Sequence, residues 1–224
     1  MRVLIGCETS GRLRRAFAAH GHEAWSCDYL PADDGELAMH LQMDVRHVLR
    51  VMRGYWDMFI VHPTCTYLCS SGLHWNKRRP ERAALTNEAV SFAVEMAEAD
   101  VPRVVMENPI GCLSTRYRKP DQIIQPYQFG DDASKATCLW LRGVSPLQSV
   151  EYVEPRLVCN YCKAVFEYGL HKCPGCGSQE YKPRWSNQTD SGQNRLPPSA
   201  DRWKLRSETY PGIADAMAMQ WGAA

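Results

Sequence analysis

Short apolar runs alternate with segments of helical period along most of this chain. Arg2 to Gly6 predicts a first strand; Leu13, Ala16, Phe17 and His20 then recur at helical spacing until Gly21 stops the helix. Ala24 to Cys27 predicts a second strand with Asp28 at its end, and Met39 to Met43 is a short apolar segment leading to Asp44-Val45. Met58 to Val61 predicts a buried strand of a parallel sheet, ended by His62-Pro63-Thr64-Cys65. Proline has no N–H for a sheet ladder and forces the residue before it into an extended shape, so the strand stops at Pro63. Leu85, Ala89, Phe92, Ala93 and Met96 mark an amphipathic helix with Thr86 as its expected cap. Arg103 to Met106 predicts the next buried strand, ending in Glu107-Asn108-Pro109. Gln125 to Phe129 and Ala136 to Leu141 predict a β-hairpin around a longer turn. Ile213, Ala216, Met217 and Gln220 mark a small-residue helix that closes the chain. The alternation predicts an α/β protein built on a mostly parallel sheet.

That prediction gives the strand ends a meaning. In an open α/β sheet, ligands sit beyond the carboxyl ends of the strands. Cys65 is placed there, as a nucleophile would be; the bland reading is a buried structural cysteine. Cys69 is the rival nucleophile, four residues on. Glu107 faces the same crevice if the two strands are neighbours. The loop Cys7-Glu8-Thr9-Ser10-Gly11 and the acid Asp28 form a strand, loop, helix, strand unit that suits a nucleoside-bearing cofactor, the acid accepting from ribose hydroxyls. Its glycine pattern is thin, with Gly6 and Gly11 but no full G-x-G-x-x-G. Asp44 has two readings, an acceptor for an adenine amino group or a helix N-cap before Arg46.

Composition adds less. The 224 residues carry 45% hydrophobic and 23% charged positions and a formal net charge of +1, so global charge does not advertise nucleic-acid binding. Any such binding rests on local basic loops: Ser70 to Arg82 with Trp75, Arg78 and Arg79, and the loop with Arg116, Arg118 and Lys119. No apolar run approaches the roughly 18 residues needed to span a bilayer, and the amino terminus lacks a signal peptide's apolar core, so a cytoplasmic protein is expected. There the ten cysteines should be reduced. Four of them, Cys159, Cys162, Cys173 and Cys176, form paired C-x-x-C knuckles with ten residues between the pairs. Four thiolates at this spacing close a tetrahedral, structural Zn2+ site with no open position for catalysis. The segment is too small to fold without its metal. Trp185 to Trp203 is polar and predicts an extended arm or loop.

Together these motifs resemble the C5-cytosine DNA methyltransferase family, particularly its short phage-type members, over most of the chain outside the cysteine knuckles. The resemblance implies a Rossmann-like class I methyltransferase fold with a β-hairpin towards the C-terminal side. Residues 1–154 and 186–224 would form that core, and 155–185 a zinc-ribbon insert. It implies S-adenosyl-L-methionine as cofactor, DNA as substrate, and the host cytoplasm as location if the gene is a phage's; no obligate protein partner is evident. Pro63-Thr64-Cys65 is similar to the family's Pro-Cys nucleophile motif, and Glu107-Asn108-Pro109 to its Glu-Asn-Val motif. That implies catalytic roles for Cys65, Glu107 and Asn108. Glu8, Thr9, Ser10 and Gly11 match the first cofactor loop, Asp28 the ribose acid, Asp44-Val45 the adenine-contacting pair, and Pro63 the cofactor side of the nucleophile loop. Ser207 and Thr209 match the C-terminal cofactor motif. The chain departs from the family in having Thr66 where glutamine is usual, no recognisable Gln-x-Arg-x-Arg motif and no large target-recognition domain. Arg116, Arg118, Lys135 or Arg195 stand as replacements for the missing arginines, with Arg78 and Arg79 as further nucleic-acid contacts. Two other readings remain at this level: a non-catalytic nucleic-acid-binding zinc-ribbon protein on a degenerate core, and an enzyme of the same scaffold acting on free nucleotides.

Overall fold

The computed structural model describes residues 1–223. It divides the chain into two compact units, one of Met1–Ile124, Ala136–Gln148 and the stretch from Ala214, the other of Gln125–Lys135 and Ser149–Ile213.

The first unit follows from its apolar runs. β1 (Arg2–Gly6), β4 (Met58–Val61) and β5 (Arg103–Pro109) are nearly continuous in buried residues, as strands covered on both faces must be. β2 (Glu23–Asp28) and β3 (His40–Gln42) extend the sheet on one side, and β6 (Gln122–Ile124) and β7 (Thr137–Arg142) on the other, in the order β3-β2-β1-β4-β5-β7-β6. β7 runs antiparallel to both its neighbours, and the other pairings are parallel. This is a Rossmann-like, mostly parallel sheet with one antiparallel strand, β7. The chain runs outward from β1 to β3 and returns to β4, so the strand order reverses between β1 and β4. That switch point is where an open α/β sheet leaves a crevice for ligands.

Helices arise where the period changes. α1 (Arg12–Ala19) buries Leu13, Arg14 and Phe17. α2 (Val45–Val51) starts at Asp44, whose side chain accepts from the Arg46 N–H at 2.8 Å, so Asp44 is an N-cap. Ser70 to Arg82 is not a plain loop: it holds α3 (Ser70–Leu73), a 3-10 turn over His74–Lys77 and the start of α4 (Pro80–Ala97). Thr86 therefore does not cap α4. Pro80 is pre-shaped for a first helical position and starts the helix six residues earlier. Thr86 is buried instead, its hydroxyl donating to the Tyr67 carbonyl at 3.2 Å and accepting from Asn76 at 3.0 Å. α5 (Leu113–Arg116) is a single turn. The hairpin is displaced from its expected place. Pro126 cannot enter a ladder and opens a 3-10 turn over Pro126–Gln128, so the strand lies at Gln122–Ile124, with Ile124 opposite Thr137.

In the second unit, β8 (Arg156–Cys159), β9 (Val165–Phe166) and β10 (Tyr181–Arg184) form an antiparallel sheet in the order β10-β8-β9. The stretch after Trp185 is irregular, as expected, but it opens on a buried anchor. Trp185 stacks on Tyr127 at 4.2 Å and donates its indole N–H to the Val153 carbonyl. α6 (Arg202–Ser207) follows, and α7 (Pro211–Gly222) closes the described chain. The part of α7 within the first unit buries Ala214, Ala216, Met217, Ala218 and Trp221.

Candidate active site and metal centre

Register places the strand tips in one row. Gly6 pairs with Cys27 of β2 and with Val61 of β4, and Val61 pairs with Met106 of β5. One residue further on, Asp28, Cys7, His62 and Glu107 therefore lie side by side across four neighbouring strands, on either side of the switch point. The sequence brought Cys65 and Glu107 to neighbouring strand ends only on the condition that β4 and β5 are adjacent, and they are.

Glu107 and Asn108 are buried. Glu107 Oε2 lies 2.5 Å from His62 Nδ1, and both side chains are about nine-tenths buried. Asn108 donates from Nδ2 to the Pro63 carbonyl at 2.7 Å, a buried bond from β5 to the loop that carries Cys65. Cys65 opens a 3-10 turn and is partly exposed, so it is not sealed in the interior. Arg82 holds the same loop from the other side, donating to the Thr66 carbonyl at 2.7 Å and the Gly72 carbonyl at 3.3 Å. Cys69 bridges to Gly111, and its sulfur lies 3.1 Å from the Ser71 hydroxyl.

On the other side of the switch point, Cys7 adopts φ +58°, an uncommon left-handed conformation for a residue with a side chain. It turns Glu8 inward. Glu8 Oε1 accepts from the Ser10 hydroxyl at 2.9 Å and from the Leu13 N–H at 3.1 Å, at the start of α1. Glu8 Oε2 is buried with no hydrogen-bond partner among the described residues. Thr9 donates to Asp33 at 2.8 Å. Gly11 sits at φ +64°, a left-handed conformation that glycine adopts without strain, and a Cβ there would also crowd the ends of the Asp34 and Arg14 side chains at 2.4 and 2.5 Å. Asp28 accepts from the Leu30 N–H at 3.0 Å. Tyr29 and the Arg46 N–H hold the Asp44 carboxyl below its ordinary range, against the burial that raises it, and Val45 is buried beside it. Burial, with Asp28 nearby, pushes the Cys7 thiol far up. Cys7 is therefore a neutral thiol and no rival to Cys65.

Most of the basic candidates are engaged internally. Arg116 donates to Asn87 at 2.9 Å, Arg118 to Asp121 at 2.8 Å, Lys135 to the Arg206 carbonyl at 2.9 Å and Arg195 to the Gln188 carbonyl at 3.1 Å. Arg78 and Arg79 lie 5.9 and 5.3 Å from the partly exposed Trp75 ring, a cation–aromatic cluster on the surface of the first unit. Ser207 and Thr209 belong to the second unit, Ser207 donating to the Lys204 carbonyl at 2.7 Å and Thr209 being buried.

The ligand atoms of Cys159, Cys162, Cys173 and Cys176 all lie within 4.8 Å of one another. The Cys159–Cys176 and Cys162–Cys173 sulfurs are 3.6 and 3.4 Å apart. Four sulfurs about 2.3 Å from a tetrahedral zinc would be about 3.8 Å apart, so the donor set fits that ion. Burial raises the Cys159 thiol, but N–H groups of Cys162 and Tyr161 outweigh it and bring it down to about 6. His171, which lies between the two knuckles in sequence and carries a ring that could bind zinc, is not in the cluster.

His62 is the site residue that sequence reasoning passed over. A histidine between an apolar strand and a proline was the available signal, but its partner depends on register.

No protein-family model matches the chain, and no curated protein matches it. Among solved structures it is similar to a protein described as a DNA modification methyltransferase encoded within an E. coli prophage (13% identity, TM-score 0.44, covering 63% of this chain and 46% of that one). It is also similar to the Entamoeba histolytica methyltransferase EhMeth (11%, 0.45, 69% and 58%) and to a triple mutant of Spodoptera frugiperda DNMT2 (15%, 0.42, 63% and 49%). The chain spans about half the length of these structures.

Proposed function

We propose that this chain transfers a methyl group from S-adenosyl-L-methionine to C5 of cytosine in DNA, through a covalent adduct at Cys65. The observation that carries the proposal is the row of strand tips, with a partly exposed sulfur on one loop and a buried carboxyl on the next strand, tied together by Asn108.

The residues fit the cofactor. A buried carboxylate oxygen without a partner is costly, and Glu8 Oε2 is placed at the first βα loop to accept from an aminoacyl ammonium. Asp28 ends the neighbouring strand, where a ribose is expected, and Asp44 is an acid at the tip of the next. When bound, the cofactor supplies an electrophilic methyl group on a sulfonium.

The chain's residues do the rest. The Cys65 thiolate adds to C6, forming the S–C6 bond and pushing electrons toward N3. Glu107 donates a proton to N3, which leaves C5 enamine-like and nucleophilic toward the electrophilic methyl group that the bound cofactor would supply, its sulfur leaving as a neutral thioether in that event. The C5 proton then passes to water, the S–C6 bond breaks to return the Cys65 thiolate, and N3 returns its proton to Glu107. In duplex DNA the target must be flipped out, because the sulfur cannot reach C6 within the stack. Asn108 fixes the Cys65 loop relative to Glu107. The four cysteines hold a structural zinc.

Labelled cofactor incubated with DNA, then nucleoside analysis, tests the reading. 5-Methylcytosine should form with the wild type and with Cys69→Ala. With Cys65→Ala it should fall to background while cofactor binding persists. Product from Cys65→Ala would overturn the covalent role. Product from free cytidine nucleotides but not from DNA would replace the substrate. Salt-sensitive DNA binding with no methyl transfer at all would favour a non-catalytic module.

A further inference from the structure

A carboxyl group that must give a proton to a ring nitrogen near neutral pH meets a difficulty of its own chemistry. An ordinary glutamate, near 4.3, has lost its proton at about pH 7. In this site Glu107 does not stand by itself. His62 Nδ1 is 2.5 Å from its Oε2, and the two side chains are 12% and 10% exposed. His62 Nε2 is buried and has no hydrogen-bond partner among the described residues. Cysteines and an acid along the same row are the titratable groups around the pair. Cys7 is next in register on β1, its thiol raised by burial. On β7, Cys138 lies opposite Asn108; burial and then the Glu107 charge raise its thiol too. Cys65 follows on the His62 loop, and Asp28 lies two strands away, beyond Cys7.

We propose that His62 and Glu107 form a proton-sharing pair in which His62, acting through Glu107, keeps a proton available for N3 of the target base at neutral pH. The inference rests on the reading of Glu107 as the proton donor and adds the residue that loads it. Imidazolium and carboxylate together hold one proton more than neutral imidazole and carboxylate. At 2.5 Å, with both side chains largely buried, Nδ1 and Oε2 are placed to share that extra proton directly. When the thiolate adds to C6, the proton passes from Nδ1 to Oε2 and from there to N3, and the reverse transfer restores the pair at elimination. The pair itself gains and loses no proton over the cycle; the C5 proton leaves separately to water. His62 is thus a positioning residue for the proton and does not itself touch the base.

His62→Asn is the informative variant, because its amide occupies the place of Nδ1 and cannot titrate. We expect its methylation rate to fall about tenfold at pH 8, less than the roughly 10²–10⁴-fold of full acid–base assistance because Glu107 itself remains. It should recover as pH falls and Glu107 holds the proton by itself. The alkaline limb of its pH–rate profile should therefore lie at lower pH than the wild type's. In a Glu107→Gln background, adding His62→Asn should cost nothing further. Cofactor binding and thermal midpoint should be unchanged. A His62→Asn enzyme with the wild-type pH profile would overturn the pair. Absence of methylcytosine from the wild type at every pH would instead overturn the functional reading. In that case nitrogen-15 NMR of the His62 ring still decides the pair: its titration midpoint should fall in Glu107→Gln, and an unchanged midpoint would refute the proposal.

Discussion

Arg2 and Asp57 join the amino ends of β1 and β4, at the opposite ends of these strands from the row of Cys7, His62 and Glu107. Asp57 Oδ2 accepts from the Arg2 backbone at 2.7 Å, and Oδ1 accepts from its guanidinium at 2.8 Å. These bonds, the guanidinium's first, hold the Asp57 carboxyl down at about 2. A depressed carboxyl stabilises the fold above its unfolded value, near 3.9, and that contribution disappears as pH falls toward the folded value. Both side chains are 38% exposed, so solvent screening limits the pair to about 0.2–1 kcal/mol. Urea unfolding of Asp57→Asn should show that loss at neutral pH. The gap from wild type should narrow steadily below about pH 4; a constant gap would mean that the carboxylate charge is not the cause. Residues differed in how far sequence exposed their roles. Cys65 and Glu107 were legible because prolines mark the strand ends beside them. His62 was not, because its partner Glu107 lies on the neighbouring strand, far off in sequence, and only the register of β4 against β5 brings them together. The arginines were legible as charge only. Their internal acceptors, Asn87 for Arg116 and the Gln188 carbonyl for Arg195, depend on tertiary placement.

At the scale of elements, the loops leaving β4 and β5 are zipped together. Cys69 bridges to Gly111, the Ser70 N–H donates to the Ile110 carbonyl at 3.1 Å, and the Cys112 N–H donates to the Leu68 carbonyl at 2.9 Å. This joins the nucleophile loop to the carboxyl-bearing strand a second time, beyond the Asn108 bond. A Cβ on Gly111 would lie 2.0 Å from the Leu68 carbonyl oxygen and 2.8 Å from the Cys69 Cα, both backbone atoms that cannot step aside. Gly111→Ala should destabilise the protein by about 1–3 kcal/mol, as overpacking does. It should also lower methyl transfer beyond the stability loss, because the Cys65 turn must shift. Gly72→Ala is the contrast: its nearest obstacle at 2.4 Å is the end of the Arg82 side chain, which can swing away. Equal melting losses for the two variants would show that the zipper does not matter. Nothing in the local pattern announced this close approach. The same holds for the displaced hairpin, where Gln125 to Phe129 has the composition of a strand but Pro126 breaks its ladder. The existence and order of the main strands were legible from apolar runs, and their ends were legible wherever proline or an acid followed. The start of α4 was missed because Pro80 sits in a charged stretch without apolar period.

The molecule as a whole has two cores of very different size. The first unit buries Leu4, Phe59, Val61, Met106, Trp140 and many others around its sheet. The cluster around the cysteine knuckles has only Leu157, Cys159, Phe166 and Cys173 as buried members, with Ala164 and Tyr181 packed against it. Two of those four are zinc ligands in the proposed arrangement, so the metal and the hydrophobic contacts are not separable there. A core this small does not offset the entropy of ordering its chain. Removing the metal should therefore act unevenly. About one zinc per chain is expected by metal analysis. After chelation under reducing conditions, amide hydrogen exchange should rise sharply across β8, β9 and β10, whose backbone order depends on the sulfur cluster. Amides of β1, β4 and β5 should keep their protection, because their burial owes nothing to those cysteines. Replacing all four cysteines by serine should reproduce the chelated pattern without chelator. Protection lost equally from both sheets would mean that the units unfold as one. Protection unchanged in β8, with no zinc found, would remove the metal from the account and leave two close cysteine pairs, Cys159–Cys176 and Cys162–Cys173, to be explained by thiol–disulfide chemistry.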